Sequence, residues 1–206
     1  MVLTKLKQRV QAMMASEAKV AYQIGLTPNL ASALGILTAF ASAFLYANPQ
    51  FYPLNLVGAT VLLLVSGFFD ALDGVIARLF GRVTVFGGFL DSMLDRYADA
   101  FVLIGVVLGG FADVFWGFLA VMGSLLVSYS RARAEAAGIK METIGLAERA
   151  ERILIIVVAS LLTLIWTSAL WWSIVLLAVL TNITVVQRAF YFRKASKRKE
   201  TGTPVI

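Results

Sequence analysis

The chain has 206 residues, of which 60% are hydrophobic and only 15% are charged, with a formal net charge of +6 and a mean hydropathy of +0.84. This balance excludes an ordinary soluble domain and predicts an integral membrane protein. Cysteine and histidine are both absent, which excludes disulfides, the usual zinc and haem sites, and Ser/His or Cys/His nucleophile systems. Any metal must therefore be held by oxygen, as Mg²⁺, Mn²⁺ and Ca²⁺ are.

The N-terminal segment, residues 1–22, is predicted to form a juxtamembrane amphipathic helix on the membrane surface. Basic and apolar residues follow a mostly helical period there, and no signal-peptide core is recognisable. A disordered basic leader is the alternative interpretation. Without a low-complexity linker or a duplicated half, residues 1–206 are expected to form a single membrane domain, with residues 23–206 as its bundle.

Six apolar stretches follow the N-terminal segment, and each is close to the roughly 20 residues that a helix needs to cross a bilayer. They lie near residues 28–48, 54–79, 87–109, 112–135, 150–168 and 171–193. The sequence therefore predicts an all-α integral membrane protein with six transmembrane helices.

The distribution of basic residues predicts the orientation. All 18 Lys and Arg residues lie in the N-terminal segment, the tail, or around the connections between spans two and three and between spans four and five. The opposite connections, 48–53, 109–114 and 166–172, contain none. The positive-inside rule thus places both termini in the cytoplasm, in a multi-pass protein of the cell membrane. The basic tail, residues 193–199, is interpreted as a lipid-surface anchor, so no nucleic-acid partner is expected.

Four carboxylates within spans two and three are the strongest functional signal. An ionised carboxylate near the bilayer centre costs roughly 2.5 to 3.5 kcal/mol, so a cluster needs a ligand that offsets the cost. Asp70 and Asp73 share one helix face, Asp91 and Asp95 another, and antiparallel packing would aim both pairs at one point. Asp99 continues the second stripe one turn deeper. This pattern predicts bound Mg²⁺ or Mn²⁺ and a cytoplasm-facing site for a phosphate ester or pyrophosphate.

Two glycines and an arginine accompany the carboxylates. Gly74 and Gly87 remove side chains beside the candidate ligands, which favours close approach of a bulky substrate, although helix packing explains many single membrane glycines. Arg78 is suited to binding a phosphate through two parallel hydrogen bonds.

The complete spacing, D-x-x-D-G-x-x-A-R-x8-G-x3-D-x3-D from Asp70 to Asp95, resembles the signature of the CDP-alcohol phosphotransferases. The six-span layout is similar as well, so the resemblance covers essentially the whole chain. It implies an enzyme that transfers a phosphoryl-linked alcohol from a CDP-alcohol to the hydroxyl of a second alcohol and releases CMP. It also implies divalent-metal dependence and a homodimer.

The resemblance also implies roles for individual residues. Asp70, Asp73 and Asp91 would be the principal metal ligands, and Asp95 would be the general base that also reaches the metal. The CDP-binding residues would be Pro28, Asn29, Asp70, Asp73, Gly74, Ala77, Arg78, Thr84, Gly87 and Asp91.

Arginines at the ends of spans four to six indicate a phosphorylated acceptor, because the guanidinium group offers phosphate a rigid fork of donors. Membrane topology and anionic lipid headgroups are alternative reasons for basic residues there. The strings around them are similar to those of phosphatidylinositol phosphate and archaetidylinositol phosphate synthases, whose acceptor is inositol 1-phosphate. The implied acceptor-phosphate residues are Arg131, Arg133, Arg149, Arg152 and Arg188.

Several alternatives remain open from the sequence. Glycerol 3-phosphate is a rival acceptor, CDP-inositol is a rival donor, and the lipid chains of the donor can be diacylglycerol or archaeol. A cation channel or transporter would also explain intramembrane carboxylates. Such a protein does not require Gly74, Ala77 and Arg78 beside them, so the enzyme is the preferred interpretation.

Overall fold

The computed structural model describes residues 14–141 and 144–200, which form α-helices joined by short connections and contain no strand. The all-α prediction is confirmed for these ranges. The helices are α1 (residues 14–23), α2 (Pro28–Ala47), α3 (Leu54–Leu79), α4 (Val85–Leu108), α5 (Val114–Ala136), α6 (Arg149–Thr163) and α7 (Ala169–Glu200), with a 3₁₀ turn at Pro49–Phe51.

Four helices are long and apolar enough to cross a bilayer, namely α2, α3, α5 and the Ala169–Lys197 part of α7. Helix α4 has 24 residues but carries Asp91, Asp95, Arg96 and Asp99. Helix α6 has 15 residues, fewer than the roughly 20 of a full span. The chain is thus a multi-pass membrane protein, and a count of six spans stays a prediction.

Helix α2 packs against α3 and α4, and its hydrogen bonds fix the register. Ser42 Oγ donates to the Ala59 carbonyl at 2.7 Å, and Ser66 Oγ donates to the Gly35 carbonyl at 2.8 Å. Since position 35 faces 66 and position 42 faces 59, the two helices run antiparallel. The functional segment of α3 is thereby brought beside the first turns of α2.

Small residues allow the helix backbones to approach closely. A Cβ added at Gly105 on α4 would meet the Ala43 backbone on α2, with its Cα 2.8 Å away. A Cβ at Gly123 on α5 would lie 2.8 Å from the Thr181 Cβ on α7. In a membrane, where apolar burial gives little driving force, such contacts supply much of the helix association.

Successive helices reverse direction, so the same bundle end holds the α3–α4 connection, the α5–α6 connection and the start of α2. We call this the charged end. An ion pair between Asp70 on α3 and Arg149 at the start of α6 shows that these segments meet. At the opposite end, Trp171 Nε1 donates to Asp113 at 2.7 Å. The charged end gathers the ionisable groups that the sequence analysis singled out.

The N-terminal helix α1 lies against α3 at the charged end. Met14, Ala18 and Ala21 are buried in one cluster with residues of α3. The Tyr22 ring stacks on Phe80 with centroids 3.8 Å apart, and Arg82 donates to the Tyr22 hydroxyl at 3.2 Å. The predicted surface helix over residues 1–22 falls partly outside the described residues, and its position on the membrane stays a prediction.

Candidate active site

Three carboxylates converge between α3 and α4. Asp70, Asp91 and Asp95 each offer an oxygen, and these oxygens all lie within 4.8 Å of one another. Asp91 and Asp95 are four residues apart and therefore share one face of α4. The short connection from residue 80 to 84 reverses the chain and presents this face to Asp70. The expected convergence across the two helices is seen for these three residues.

The fourth carboxylate, Asp73, lies in the wall of the same cavity and outside the three-oxygen cluster. Its side chain is buried and accepts a hydrogen bond from Ser32 Oγ of α2 at 2.5 Å. All four carboxylates line this cavity. Sequence reasoning missed Ser32, whose position one turn after Asn29 on α2 was a signal too weak to use alone.

Arg149 lies among these carboxylates. It forms ion pairs with Asp70 and, at 2.8 Å, with Asp95, and its side chain is only 17% exposed. It is the first residue of α6, which explains how it reaches a site built from α3 and α4. The sequence implied a contact with the acceptor phosphate, whereas the structure places Arg149 directly beside the candidate metal ligands.

A second ionic layer lies one turn deeper in α4. Asp99 is paired with Arg152 and lies 3.4 Å from the Arg149 Nε. Arg152 is 4% exposed and also donates to the Ala147 carbonyl at 2.8 Å. Arg152 is thus engaged inside the protein, where it joins α6 to α4.

The residues predicted for the nucleotide come together at the start of α4. Thr84 caps this helix, and its hydroxyl accepts a hydrogen bond from the Gly87 N–H at 2.9 Å. A Cβ added at Gly87 would lie 2.9 Å from the Thr84 Oγ1 and 3.5 Å from the Asn29 Oδ1. Pro28 occupies the first turn of α2 beside them.

The last turns of α3 contribute the remaining motif residues. The exposed Arg78 folds back over Gly74, so that a Cβ at Gly74 would lie 3.1 Å from the Arg78 Nη1. Ala77 is half-buried beside it. The missing side chain at Gly74 therefore makes room for a guanidinium group beside a position that directly follows Asp73 and lies one turn after Asp70.

Arg188 on α7 is 2% exposed and joins three segments. Its Nε donates to the Ile144 carbonyl at 2.7 Å, and its Nη1 donates to the Val127 carbonyl of α5. The connection is held close by Gly145, whose φ of +139° suits glycine and whose Cβ would collide with Thr184. At least two of the five guanidinium donors are therefore used structurally.

Arg131 and Arg133 on α5 have different surroundings. Arg131 forms an ion pair with Glu135 at 2.8 Å. The positive charges of Arg131 and Arg152 both lie close enough to act on Arg188. Arg133 is exposed and, two residues further along the helix, is turned by roughly 200° from Arg131. The structure thus associates Arg131, Arg152 and Arg188 and directs Arg133 elsewhere.

The donor set suits a hard divalent cation. All the converging atoms are carboxylate oxygens, and the chain has no cysteine or histidine to favour a softer metal. Among the described residues, the carboxylates of this region outnumber the guanidinium groups paired with them. A cation such as Mg²⁺ or Mn²⁺ would offset the remaining negative charge.

Comparison with known proteins agrees with this site. Residues 25–198 match the family model for CDP-alcohol phosphatidyltransferase. The archaetidylinositol phosphate synthase of Pyrococcus horikoshii is 42% identical over 200 residues, which cover 97% of this chain and 100% of that protein. The crystal structure of Mycobacterium tuberculosis phosphatidylinositol phosphate synthase with bound CDP-DAG superposes with a TM-score of 0.77 at 30% identity, covering 88% of this chain and 94% of that one. A second structure of that enzyme contains manganese and citrate, with the same TM-score of 0.77 and 30% identity, covering 87% and 88% of the respective chains.

These matches define the class as α-helical membrane transferases, and one of the matching structures contains manganese. The chain belongs to the CDP-alcohol phosphatidyltransferase family and is a phosphotransferase. The resemblance inferred from the Asp70 to Asp95 spacing is confirmed, and the channel alternative is discarded.

Proposed function

We propose that this protein transfers a phosphatidyl or archaetidyl group from a CDP-lipid to inositol 1-phosphate and releases CMP. The observation that carries the proposal is the meeting of Asp70, Asp91 and Asp95 with Arg149 in one cavity at the charged end. The relatives support the substrate class, since their names specify inositol phosphate lipids and one structure contains CDP-DAG.

Asp70 and Asp91 of the three-oxygen cluster, with Asp73 from the wall of the same cavity, would hold the cation, either Mg²⁺ or Mn²⁺, and Asp95 would also reach it. When bound, this ion neutralises phosphoryl oxygens and stabilises CMP as a leaving group. Asp95 accepts the proton of the acceptor hydroxyl while that oxygen attacks the phosphorus bonded to the lipid alcohol. The bond between this phosphorus and the oxygen bridging to CMP breaks, so no covalent enzyme intermediate is required.

The nucleotide site is proposed at the junction of α2, α3 and α4. Asn29, Thr84 and Gly87 form one side of it, and the Gly74 and Arg78 pair forms the other. Arg78 supplies positive charge to the diphosphate, and Gly87 leaves its backbone open to the nucleotide.

Gly87→Ala is expected to raise the KM for the CDP-lipid about tenfold with little change in thermal stability. The new Cβ would lie 2.9 Å from the Thr84 Oγ1, so this cap must shift where the nucleotide contacts it. The matched control is Gly88→Ala, because a Cβ at Gly88 meets nothing within 4 Å. Steady-state CMP release at varied CDP-lipid concentration makes the comparison. Equal KM values in the two variants contradict this placement of the nucleotide.

The acceptor phosphate is proposed to bind between Arg131, Arg149 and Arg188. Arg188 keeps donors beyond those used on the Ile144 and Val127 carbonyls, and Arg131 is close enough for its charge to act on Arg188. Arg152 acts indirectly through Asp99, and Arg133 lies away from this group.

Arg131→Gln is expected to raise the KM for inositol 1-phosphate by roughly 10- to 100-fold, because a charge-assisted phosphate contact contributes about 1.5 to 3 kcal/mol. Arg133→Gln on the same helix removes the same charge and should change this KM less than threefold. The KM for the CDP-lipid should stay constant in both variants. A large effect of Arg133→Gln with none from Arg131→Gln would reverse the assignment.

The proposal also includes the membrane topology and the oligomeric state. The chain forms six spans with both termini and the active site facing the cytoplasm, because the charged end carries the basic residues. Residues 1–206 act as one membrane domain, and two copies form a homodimer.

Acceptor identity is tested by CMP release from purified protein with Mg²⁺ and a CDP-lipid. Inositol 1-phosphate, glycerol 3-phosphate, free inositol and serine are compared. We expect release to depend on inositol 1-phosphate. Release only with glycerol 3-phosphate would retain the phosphotransferase and replace the acceptor. No CMP release with any of the four acceptors, while the CDP-lipid still binds, would indicate CDP-inositol as the donor.

A further inference from the structure

Arg149 is shared between two groups of carboxylates. On one side it pairs with Asp70 and Asp95, which both belong to the three-oxygen cluster. On the other side its Nε lies 3.4 Å from an oxygen of Asp99, which is outside that cluster. A guanidinium group and a divalent cation bound at the cluster would therefore compete for the carboxylates of Asp70 and Asp95.

Asp99 contacts Arg149 from the side away from Asp70 and Asp95, and its own position is fixed by an ion pair. Its side chain is 10% exposed and is paired with Arg152, whose side chain is 5% exposed. Arg152 is itself fixed by donating to the Ala147 carbonyl at 2.8 Å. Asp99 thus offers Arg149 a well-placed negative charge one helical turn below Asp95.

We propose that Asp99, fixed by Arg152, is a positioning residue that draws Arg149 away from Asp70 and Asp95 and thereby leaves these carboxylates free to bind a divalent cation. The inference rests on the proposed function only in that the cluster binds such a cation. It assigns a role to an aspartate outside the eight motif positions.

If Asp99 acts in this way, its effect on cation binding should depend on the presence of Arg149. Without the Asp99 charge, Arg149 has only Asp70 and Asp95 as ionic partners among the described residues, so it should compete more strongly with the cation. Without Arg149, the loss of Asp99 should matter little to metal binding. A purely structural or long-range electrostatic role of Asp99 would act with or without Arg149.

The test is a double-mutant cycle read by Mn²⁺ binding to purified protein without substrates, using electron paramagnetic resonance of the free ion. Asp99→Asn is expected to weaken Mn²⁺ binding at least about fivefold, within the range of coupling between contacting charges. Arg149→Gln is expected to tighten it. The double variant should match Arg149→Gln within about twofold.

Two results overturn the inference. One is unchanged Mn²⁺ affinity in Asp99→Asn, and the other is the same fold-loss from Asp99→Asn in both the Arg149 and the Arg149→Gln backgrounds. Normal CMP release by the wild-type protein with either result leaves the proposed function standing. The expected cycle without any CMP release would instead remove the proposed function and keep the inference.

Asp99→Asn leaves Arg152 buried without its partner, which is expected to destabilise the protein. A second variant avoids this problem. Asp99→Asn combined with Arg152→Gln removes both buried charges together, so neither is left without its partner. It should weaken Mn²⁺ binding as Asp99→Asn does, and adding Arg149→Gln should abolish that loss. Wild-type Mn²⁺ affinity in this pair variant would overturn the inference as clearly as in the single variant.

Discussion

Asp95→Asn is expected to lower the kcat of CMP release by about 10²- to 10⁴-fold, the usual contribution of a positioned general base. Asn keeps the shape of the side chain and cannot accept the acceptor's proton. Asp95 lies on the face of α4 that meets Asp70, and one of its oxygens is 2.8 Å from the Arg149 guanidinium. Binding of the CDP-lipid should persist, because the proposed nucleotide contacts lie on other residues.

Asp113→Asn is the matched control for this loss. It makes the same chemical change at the opposite end of the bundle, where Asp113 accepts a hydrogen bond from Trp171. Its kcat should stay within twofold of wild type. An Asp95→Asn protein that retains more than a tenth of the wild-type kcat would contradict the assignment of the base.

Asp91→Asn should abolish measurable activity by weakening the binding of the metal ion. Loss of an outer-shell partner alone typically costs 10- to 100-fold in metal affinity, so loss of a directly ligating carboxylate should cost at least about 100-fold. Asp91 contributes one of the three converging oxygens and lines the same cavity as Asp73. Mn²⁺ titration without substrate measures this effect separately from catalysis.

The comparison of Asp91→Asn with Asp95→Asn separates a ligand from a base. Asp91→Asn should lose Mn²⁺ affinity and activity together, and raised Mn²⁺ should restore part of the activity. Asp95→Asn should lose activity with a much smaller change in Mn²⁺ affinity. Equal losses of affinity in the two variants would show that Asp95 is as much a ligand as Asp91.

The sequence predicted the helical class and the convergence of α3 with α4 because both depend on local patterns. The spacing of Asp91 and Asp95 places them on one helix face, and the short α3–α4 connection leaves few ways for that face to avoid Asp70. The apolar stretches predicted the bounds of α2 to α5 within two residues, as for 54–79 and Leu54–Leu79, whereas α6 ends five residues earlier and α7 ends seven residues later than predicted. The composition of α4 and the length of α6 leave the number of spans unconfirmed.

The arginines were harder to assign because their partners come from distant parts of the chain. Arg149 meets Asp70 and Asp95 only through packing of α6 on the bundle, which no sequence period encodes. The same holds for the Arg188 contacts with the Ile144 and Val127 carbonyls. Because all five arginines are positively charged, the sequence assigned all of them to the acceptor phosphate. The structure instead gives them different surroundings.

Ser32 shows another limit of sequence reasoning. Serine is common in membrane helices, where its hydroxyl often bonds within its own helix. Its hydrogen bond to Asp73 becomes visible only when α2 and α3 are placed side by side. Ser32 lies one turn after Pro28 and Asn29, which are candidates for the nucleotide site. This position alone was too weak a signal to single it out.

The central claim is that a lipid phosphoryl group is joined to an alcohol that already carries a phosphate. The most direct measurement is ³¹P magnetic resonance and mass spectrometry of the lipid formed from a CDP-lipid and inositol 1-phosphate. The account predicts equal amounts of one phosphodiester and one phosphomonoester in that lipid, with CMP formed in the same amount. A lipid with the phosphodiester alone, or CMP formed without any new lipid, would contradict it.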